Sequence, residues 1–387
     1  MEEFRVGLEN RCNREEVVGF LASIFGPDPK IARKNFNLVF DYEPSVSTRN
    51  MVYARSSKNQ LVGMLRIVER TVLVDGAALN CGGVTSVAVA ENWRHQGVCS
   101  ALMDFAHKVL EDRGCPVSLV FARKAVDGLY ERYGYSPVGR YIDLRLDVSV
   151  KDTTGVQLRP FQKKDLDFCM MSYIKYYHQL TGSYKREQGI WDFLIHRFAE
   201  GKRQFQLFVC QAEKRNIGYG VVLENTLVEF CLAPEFFSSC PSMFESLAIK
   251  SIGLHPRHPF FQYARAHWNT IFSERFAVHG GYMARFIHTP AVIRWVSQRL
   301  KSRAKRLGLQ NHFVNVLDYR IDLKTGQVTP QQGKDDIIFS DFNHAVQMIL
   351  GFVGPELISG AQINASKPWL LNLFPHLYFQ TSKCDEF

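Results

Sequence analysis

Hydrophobic and polar positions divide the chain into segments of readable period. Asn13-Arg14-Glu15-Glu16, followed by Val17, Val18, Phe20, Leu21 and Ile24, has the form of a capping box opening an amphipathic helix. Residues 51–55, 61–74 and 84–90 are rich in Val, Leu and Ile with turn residues between them, and predict strands. From Gly97 the apolar positions Val98, Ala101, Leu102, Phe105, Val109 and Leu110 recur at helical spacing until Gly114 stops the run. Residues 117–121 are again an apolar strand, so strand, helix and strand follow one another within about thirty residues, as a parallel crossover requires.

Asp152-Thr153-Thr154-Gly155 is a polar break, after which a strand pattern restarts at 156–160 and helical patterning runs through Phe198. Three further strands are predicted at 205–211, 217–223 and 227–232. The pattern changes once more from Tyr282. Segments 312–317 and 319–323 are apolar-rich, and Lys324-Thr325-Gly326 puts glycine where a hairpin loop needs positive φ. Helices are predicted around 343–350 and 368–373. The expected organisation is three units, 1–150, 151–281 and 282–387, each mixing helix and strand, so the fold class is α/β (α+β).

Composition narrows the function. A length of 387 residues suits two or three domains at roughly 150 residues each. Hydrophobic residues at 46% and charged residues at 22% exclude disorder, a collagen-like repeat and a coiled-coil rod. The net charge of +9 is diffuse: basic and acidic side chains number 19 and 18 in 1–150, 16 and 12 in 151–281, and 12 and 8 in 282–387. Only the stretch from Arg299 to Arg306 is dense, and it reads as a solvated helical face, so no nucleic-acid partner is expected. Nine scattered cysteines without a C-x-x-C or paired histidine spacing point to neither a disulfide framework nor a metal. No basic-then-apolar leader opens the chain and no apolar run approaches roughly 18 residues, which predicts a cytoplasmic protein with no membrane span.

Candidate chemistry is concentrated after the strand at 84–90. There the turn Arg94-His95-Gln96-Gly97-Val98-Cys99-Ser100, of form R-x-x-G-x-C, leads into the helix. Gly97 removes a Cβ where backbone must approach a ligand, the free amides at the helix start favour an anion such as a pyrophosphate, and Arg94 adds a charged donor. Downstream stands Leu129-Tyr130-Glu131-Arg132-Tyr133-Gly134-Tyr135. A phenol has a reference pKa of about 10 and can serve as a proton donor; Tyr133 and Tyr135 read as core cover.

The first stretch resembles motif A of the GCN5-related N-acetyltransferases, Q/R-x-x-G-x-G/A ahead of a helix, and the second resembles that family's Y-x-x-x-G-[FY]. The resemblance implies acetyl-CoA as acetyl donor and no metal. It implies a splayed strand whose backbone at Val87, Ala88 and Val89 holds the pantetheine arm. The backbone amides of His95, Gln96, Gly97, Val98, Cys99 and Ser100 would grip the pyrophosphate, Ala125 and Val126 would line the coenzyme arm or simply pack, and Tyr130 would act as general acid. Cys99 departs from the family's Gly or Ala. It is read either as a thiol made reactive by the helix start or as a small apolar filler.

Over the whole chain the order of units is similar to the Eis (enhanced intracellular survival) proteins. These are bacterial N-acetyltransferases with an active and then a degenerate GNAT fold and a sterol-carrier-protein-like third domain. Met283-Ala-Arg-Phe-Ile-His-Thr-Pro290-Ala-Val resembles the entry to that third domain, and Lys383-Cys-Asp-Glu-Phe387 resembles the aromatic end of these proteins. The resemblance implies that the α-carboxylate of Phe387 is the general base, that Glu386, with Asp385, draws in a cationic amine unless the pair is a solvated tail, and that the protein is a hexamer. The acceptor would be a small-molecule amine (aminoglycoside or polyamine) or a lysine amine. The rival reading is a non-catalytic acyl-CoA or lipid binder using the last domain, with the apolar run from Phe374 to Phe379 as its attraction.

Overall fold

Asn13 caps the first helix as predicted, its side chain accepting from the Glu16 backbone N–H at 3.3 Å. Glu16 does not reciprocate; its carboxylate takes the Arg55 guanidinium at 2.9 Å instead. The protein is described here by a computed structural model that covers residues 3–386 except Pro27, Lys124, 148–154, Lys202, 277–280, 331–337, Ser340 and 355–368.

In chain order the elements are β1 (Phe4–Leu8), α1 (Arg14–Ile24), α2 (Pro29–Tyr42), β2 (Met51–Ser56), β3 (Leu61–Val74), β4 (Ala77–Val89), α3 (Val98–Asp112), β5 (Val117–Ala122), α4 (Asp127–Arg132), β6 (Ser136–Pro137), β7 (Arg140–Leu146) and β8 (Gln157–Pro160). There follow α5 (Leu166–Tyr177), α6 (Gln188–Glu200), β9 (Phe205–Ala212), β10 (Arg215–Leu223), β11 (Thr226–Leu232), α7 (Cys240–Ser246), β12 (Ser251–Ile252), α8 (Pro259–His267), β13 (Thr270–Phe276) and β14 (Gly281–Phe286). The chain ends with α9 (Thr289–Leu307), β15 (Phe313–Val316), β16 (Tyr319–Asp322), β17 (Val328–Pro330), β18 (Ile338–Phe339), α10 (Phe342–Ile349) and α11 (Trp369–Leu373). The hairpin expected at 324–328 joins β16 to β17, with Gly326 at φ +75°. Helix α2 has no forecast in the sequence pattern, although Asp28 caps it by accepting from the N–H of Lys30 at 2.8 Å and Pro29 sits where an orphan N–H costs nothing.

Two seven-stranded sheets dominate, ordered β1-β2-β3-β4-β5-β14-β6 and β13-β7-β12-β11-β10-β9-β8, with a four-stranded sheet β17-β16-β15-β18. The sheets do not part at residues 150 and 281. Strand β7, before the polar break, belongs to the second sheet, where it pairs with β12 and β13. Strand β14, from the start of the last third, enters the first sheet between β5 and β6. The reason is pairing: the ladder from Gly281↔Ala122 to Phe286↔Val117 covers the edge that β5 would otherwise leave open. Cleaving the chain at either predicted boundary would strip a strand from a neighbouring sheet.

Helix α3 packs on one face of the first sheet with Val52, Leu65, Ile67, Val84 and Val120. On the other face Val72, Leu79, Val117 and Ala284 join a core shared with α9 and α10. The basic run of α9 is only partly a solvated face. Arg299 and Arg303 reach Asp75 Oδ2, in the β3–β4 turn, at 2.9 and 3.0 Å, which docks the last unit on the first. The run from Phe374 to Phe379 turns inward through Phe374, Leu377 and Phe379, so its apolarity is interior packing.

The last residues thread between the units and are held at every step. Gln380 N donates to Thr181 O at 3.1 Å, Thr381 Oγ1 to Gly182 O at 2.9 Å and Ser382 Oγ to Val228 O at 3.2 Å. Gly182 takes φ +94°, and a Cβ there would lie 2.5 Å from Gln380 O, so only glycine lets the tail approach. Cys384 is buried in the core of the second unit. Arg186 grips the Asp385 carboxylate with Nε at 2.9 Å and Nη2 at 2.7 Å.

Candidate active site

The parallel pairing of β4 with β5 runs only from Cys81↔Val117 to Val84↔Val120, while β4 continues to Val89. Beyond Val84 the two strands part. On its other side β4 carries a bulge, because Met64↔Ala88 is followed by Arg66↔Thr85, leaving one residue more on β4 than on β3. Ser86 at the bulge has φ +52°. The parting opens a cleft of about 1440 Å³ that is walled by β4, the turn into α3, the end of β5, α4, α2 and one side of the second unit.

The turn into α3 is shaped by backbone rather than by a side-chain cap. His95 and Gly97 take φ +61° and +83°, Gly97 is the cap residue, and Ala101 N to Gly97 O is a bond of the first turn. The amides of Val98, Cys99 and Ser100 therefore precede the ladder and carry the partial positive charge of a helix start. Trp93, buried against Phe4 with ring centroids 6.2 Å apart, anchors the turn. Gln96 donates from Nε2 to Asn92 O at 2.8 Å and does not line the cleft.

The other predicted residues of this segment converge. Val87, Ala88, Val89, Arg94, His95, Gly97, Val98, Cys99, Ser100, Ala125, Val126 and Tyr130 all line the cleft, as does Glu386 from the far end of the chain. Ala88 and Val98 turn their side chains into the core, so they meet the cleft through backbone. Phe387 lies outside the described residues.

The three tyrosines in and just after α4 separate by environment. Tyr135 is buried with its hydroxyl between His107 Nε2 at 2.9 Å and Ser118 Oγ at 2.7 Å; burial, and then Arg285, push the His107 pKa down to about 3. Tyr133 packs half-buried against the α3 core as expected, and it also lines the cleft and donates to Ser100 Oγ at 2.8 Å, tying α4 to the start of α3. Tyr130 sits against Tyr135 at 6.0 Å, edge to face, and lines the cleft while 8% exposed. Burial, with a smaller contribution from Cys99, pushes its pKa up to about 12. Burial also raises the Cys99 thiol, and its side chain packs against the α3 core.

The terminal acids are not a solvated tail. Asp385 and Glu386 are 8% and 7% exposed. Glu386 pairs with Arg203 of the second unit, and Arg197 Nη1 donates to Cys384 O at 3.0 Å. Arg186 is shared between Asp385 and Glu229, whose oxygens it meets at 3.0 Å and closer, and its guanidinium stacks 3.9 Å from the centroid of Tyr173. Burial opposes the charged form of Arg186, yet Asp385 and Glu229 together hold its pKa well above the ordinary value.

Arg66, Glu43, Phe193, Arg197, Arg203 and Phe205 also line the cleft, and none of them was singled out from sequence. Arg66 offered a signal, a lone charge in the apolar run Leu61-Val-Gly-Met-Leu-Arg66-Ile-Val. Residues of the second unit offered none, since their proximity to Tyr130 depends on how two sheets pack.

Known proteins resemble this chain in sequence and in fold. Residues 14–138 match the family model of the acetyltransferase (GNAT) domain. Over 78 residues the chain is 37% identical to the aminoglycoside 2'-N-acetyltransferase of Mycolicibacterium fortuitum, which covers 20% of this chain and 39% of that protein. It is 28% identical over 150 residues to N-acetyltransferase Eis of Mycobacterium bovis, 35% of this chain and 36% of that one. The chain thus covers little more than a third of either relative. The crystal structure of Eis1 from Mycobacterium abscessus shares the fold, with a TM-score of 0.62 at 13% identity over 98% of both chains. Residues 14–138 therefore match the GNAT acetyltransferase domain, and over about a third of its length the chain is similar to the Eis N-acetyltransferases.

Proposed function

We propose that the protein transfers the acetyl group of acetyl-CoA to a primary amine by direct attack. The observation that carries this reading is the parting of β4 from β5 beyond Val84, with the bulge at Ser86, the amides of Val98 to Ser100 and Tyr130 on the same cleft. The first-turn amides and Arg94 suit the pyrophosphate, and the extended backbone of Val87 to Val89 suits the pantetheine arm. As the amine attacks the thioester carbon, the Val87 amide beside the bulge serves the oxyanion. When the C–S bond breaks, Tyr130 gives its proton to the departing thiolate. The ammonium gives its proton to the α-carboxylate of Phe387, which in the sequence follows directly on the cleft-lining Glu386. Assembly into a hexamer belongs to the same reading and is checked by sedimentation of the purified chain.

Thiol release from acetyl-CoA, followed across polyamines, aminoglycosides and lysine peptides, is expected to depend on the added amine. Extending the chain by a few residues past Phe387 is expected to abolish that turnover while acetyl-CoA still binds. Full activity in the extended variant would remove the terminal carboxylate from the mechanism.

A pH dependence follows from the buried phenol. An acid works in its protonated form, and a pKa raised to about 12 keeps Tyr130 protonated until pH rises through that value. The kcat profile is therefore expected to stay flat from about pH 8 to about pH 10, where an ordinary phenol would already be losing its proton. A descending limb near pH 10 would assign the acid to a less buried group.

A further inference from the structure

We propose that the acceptor is a small primary amine that also carries an anionic group, a carboxylate or a phosphate, and that Arg66 receives that group. This rests on the amine-acetylating reading and adds the substrate class. Among the described residues the cleft is lined by six arginines, 66, 94, 123, 132, 197 and 203, against two glutamates, 43 and 386. Arg94, Arg123 and Arg132 stand in or beside the turn, β5 and α4, at the end suited to phosphates. The remaining three arginines and both glutamates come from β3, the end of α2, the second unit and the tail.

Of the carboxylates at that end, one is fully paired and the other is occupied through one oxygen. Glu386 is paired with Arg203. Glu43 Oε1 accepts from Arg70 Nη2 at 2.8 Å and from Ser45 N at 3.2 Å. A polycation entering here would meet three arginines, with a single carboxylate oxygen, Glu43 Oε2, left over.

Arg66 is the under-compensated group. Its side chain is 7% exposed, yet among the described residues its guanidinium, with five donors, makes one side-chain hydrogen bond, from Nε to Ser86 Oγ at 3.3 Å. Glu43 Oε2 faces Nη1 at 3.7 Å as an ion pair and has no hydrogen-bond partner of its own, so the pair is not closed by a hydrogen bond. Burial lowers the Arg66 pKa, and Arg70 adds to that, against the opposing pull of Glu43. A buried guanidinium facing a cavity with spare donors suits a bidentate anion. Its hydrogen bond is to the bulge residue itself, so an anion held on Arg66 would place an attached amine beside the point where β4 leaves β5.

The test uses the full chain loaded with CoA and measures binding by calorimetry for two matched pairs, ornithine against putrescine and phosphoethanolamine against ethanolamine. In at least one pair the anionic member is expected to bind at least about tenfold more tightly, and Arg66→Met is expected to erase that advantage with CoA affinity unchanged, which also shows that the variant folds. Arg66→Lys, which keeps the charge and loses the planar fork, is the second variant and is expected to retain only part of the advantage. The pair that responds separates carboxylate from phosphate. Equal or tighter binding of the non-anionic member in both pairs, no binding by any of the four, or an advantage that survives Arg66→Met would overturn the proposal. Acetyl transfer is scored separately: a tight anionic ligand that is never acetylated leaves this assignment standing and defeats the enzymatic reading instead.

Discussion

Replacing Tyr130 with Phe is expected to lower kcat by about 10²- to 10⁴-fold, the range typical of a lost general acid, while the dissociation constant of acetyl-CoA stays unchanged. The substitution removes one oxygen. The ring keeps its edge contact with Tyr135 at 6.0 Å and its place in the α3 core, so the fold has no reason to respond. The departing thiolate then has to find its proton in solvent, which the closed surroundings of a side chain 8% exposed make slow. Rapid-quench measurement of the acetyl-transfer step separates the two roles. An unchanged kcat would place Tyr130 with Tyr135 as a structural residue.

The second large effect is expected from Arg186→Met, which leaves Asp385 and Glu229 facing each other in the interior without the cation between them. Breaking a buried ion pair on one side costs about 3–5 kcal/mol, because the orphaned charge keeps its desolvation penalty. Here two carboxylates are orphaned at once, and Tyr219 Oη, which donates to Glu229 Oε1 at 2.8 Å, can serve only one of them. Chemical denaturation should show the loss as a lower midpoint. Limited proteolysis should show the tail released first, since the fork on Asp385 is what fixes the segment leading to Glu386. Arg186→Lys should recover only part of the loss, as an ammonium cannot bridge both carboxylates with parallel bonds. A midpoint that barely moves would mean that the bonds to Thr181, Gly182 and Val228, with Arg197 and Arg203, hold the tail without Arg186.

These two residues mark what is readable and what is not. Tyr130 belongs to a contiguous signature whose parts are neighbours in the chain, so spacing alone carries it. Arg186 has no such signature; it stands in Tyr184-Lys185-Arg186-Glu187, a stretch without periodicity, and its partners are 43 and 199 positions away. The same holds for Arg66. Its charge within an apolar strand is visible, but the partner that leaves it under-compensated, Glu43, comes from the end of an unforecast helix. The two boundaries, drawn at the polar break and at the change of pattern from Tyr282, do not coincide with the division between sheets, for a related reason. A strand is recognised by its own alternation, whereas the sheet it joins is chosen by which edge is open when the units pack, and β7 and β14 both cross to the neighbour's edge.

The sequence by itself determined the elements around the turn into α3, the glycine in that turn, and the phenol that follows one strand later, because these depend on forces acting over a few residues. Only the tertiary structure decided that β4 parts from β5 beyond Val84, that a tail from the end of the chain is clamped by Arg186 and Arg203 against the same cleft, and that Arg66 is buried with donors to spare. Those facts come from long-range pairing and the desolvation of charge, which no local window of residues contains.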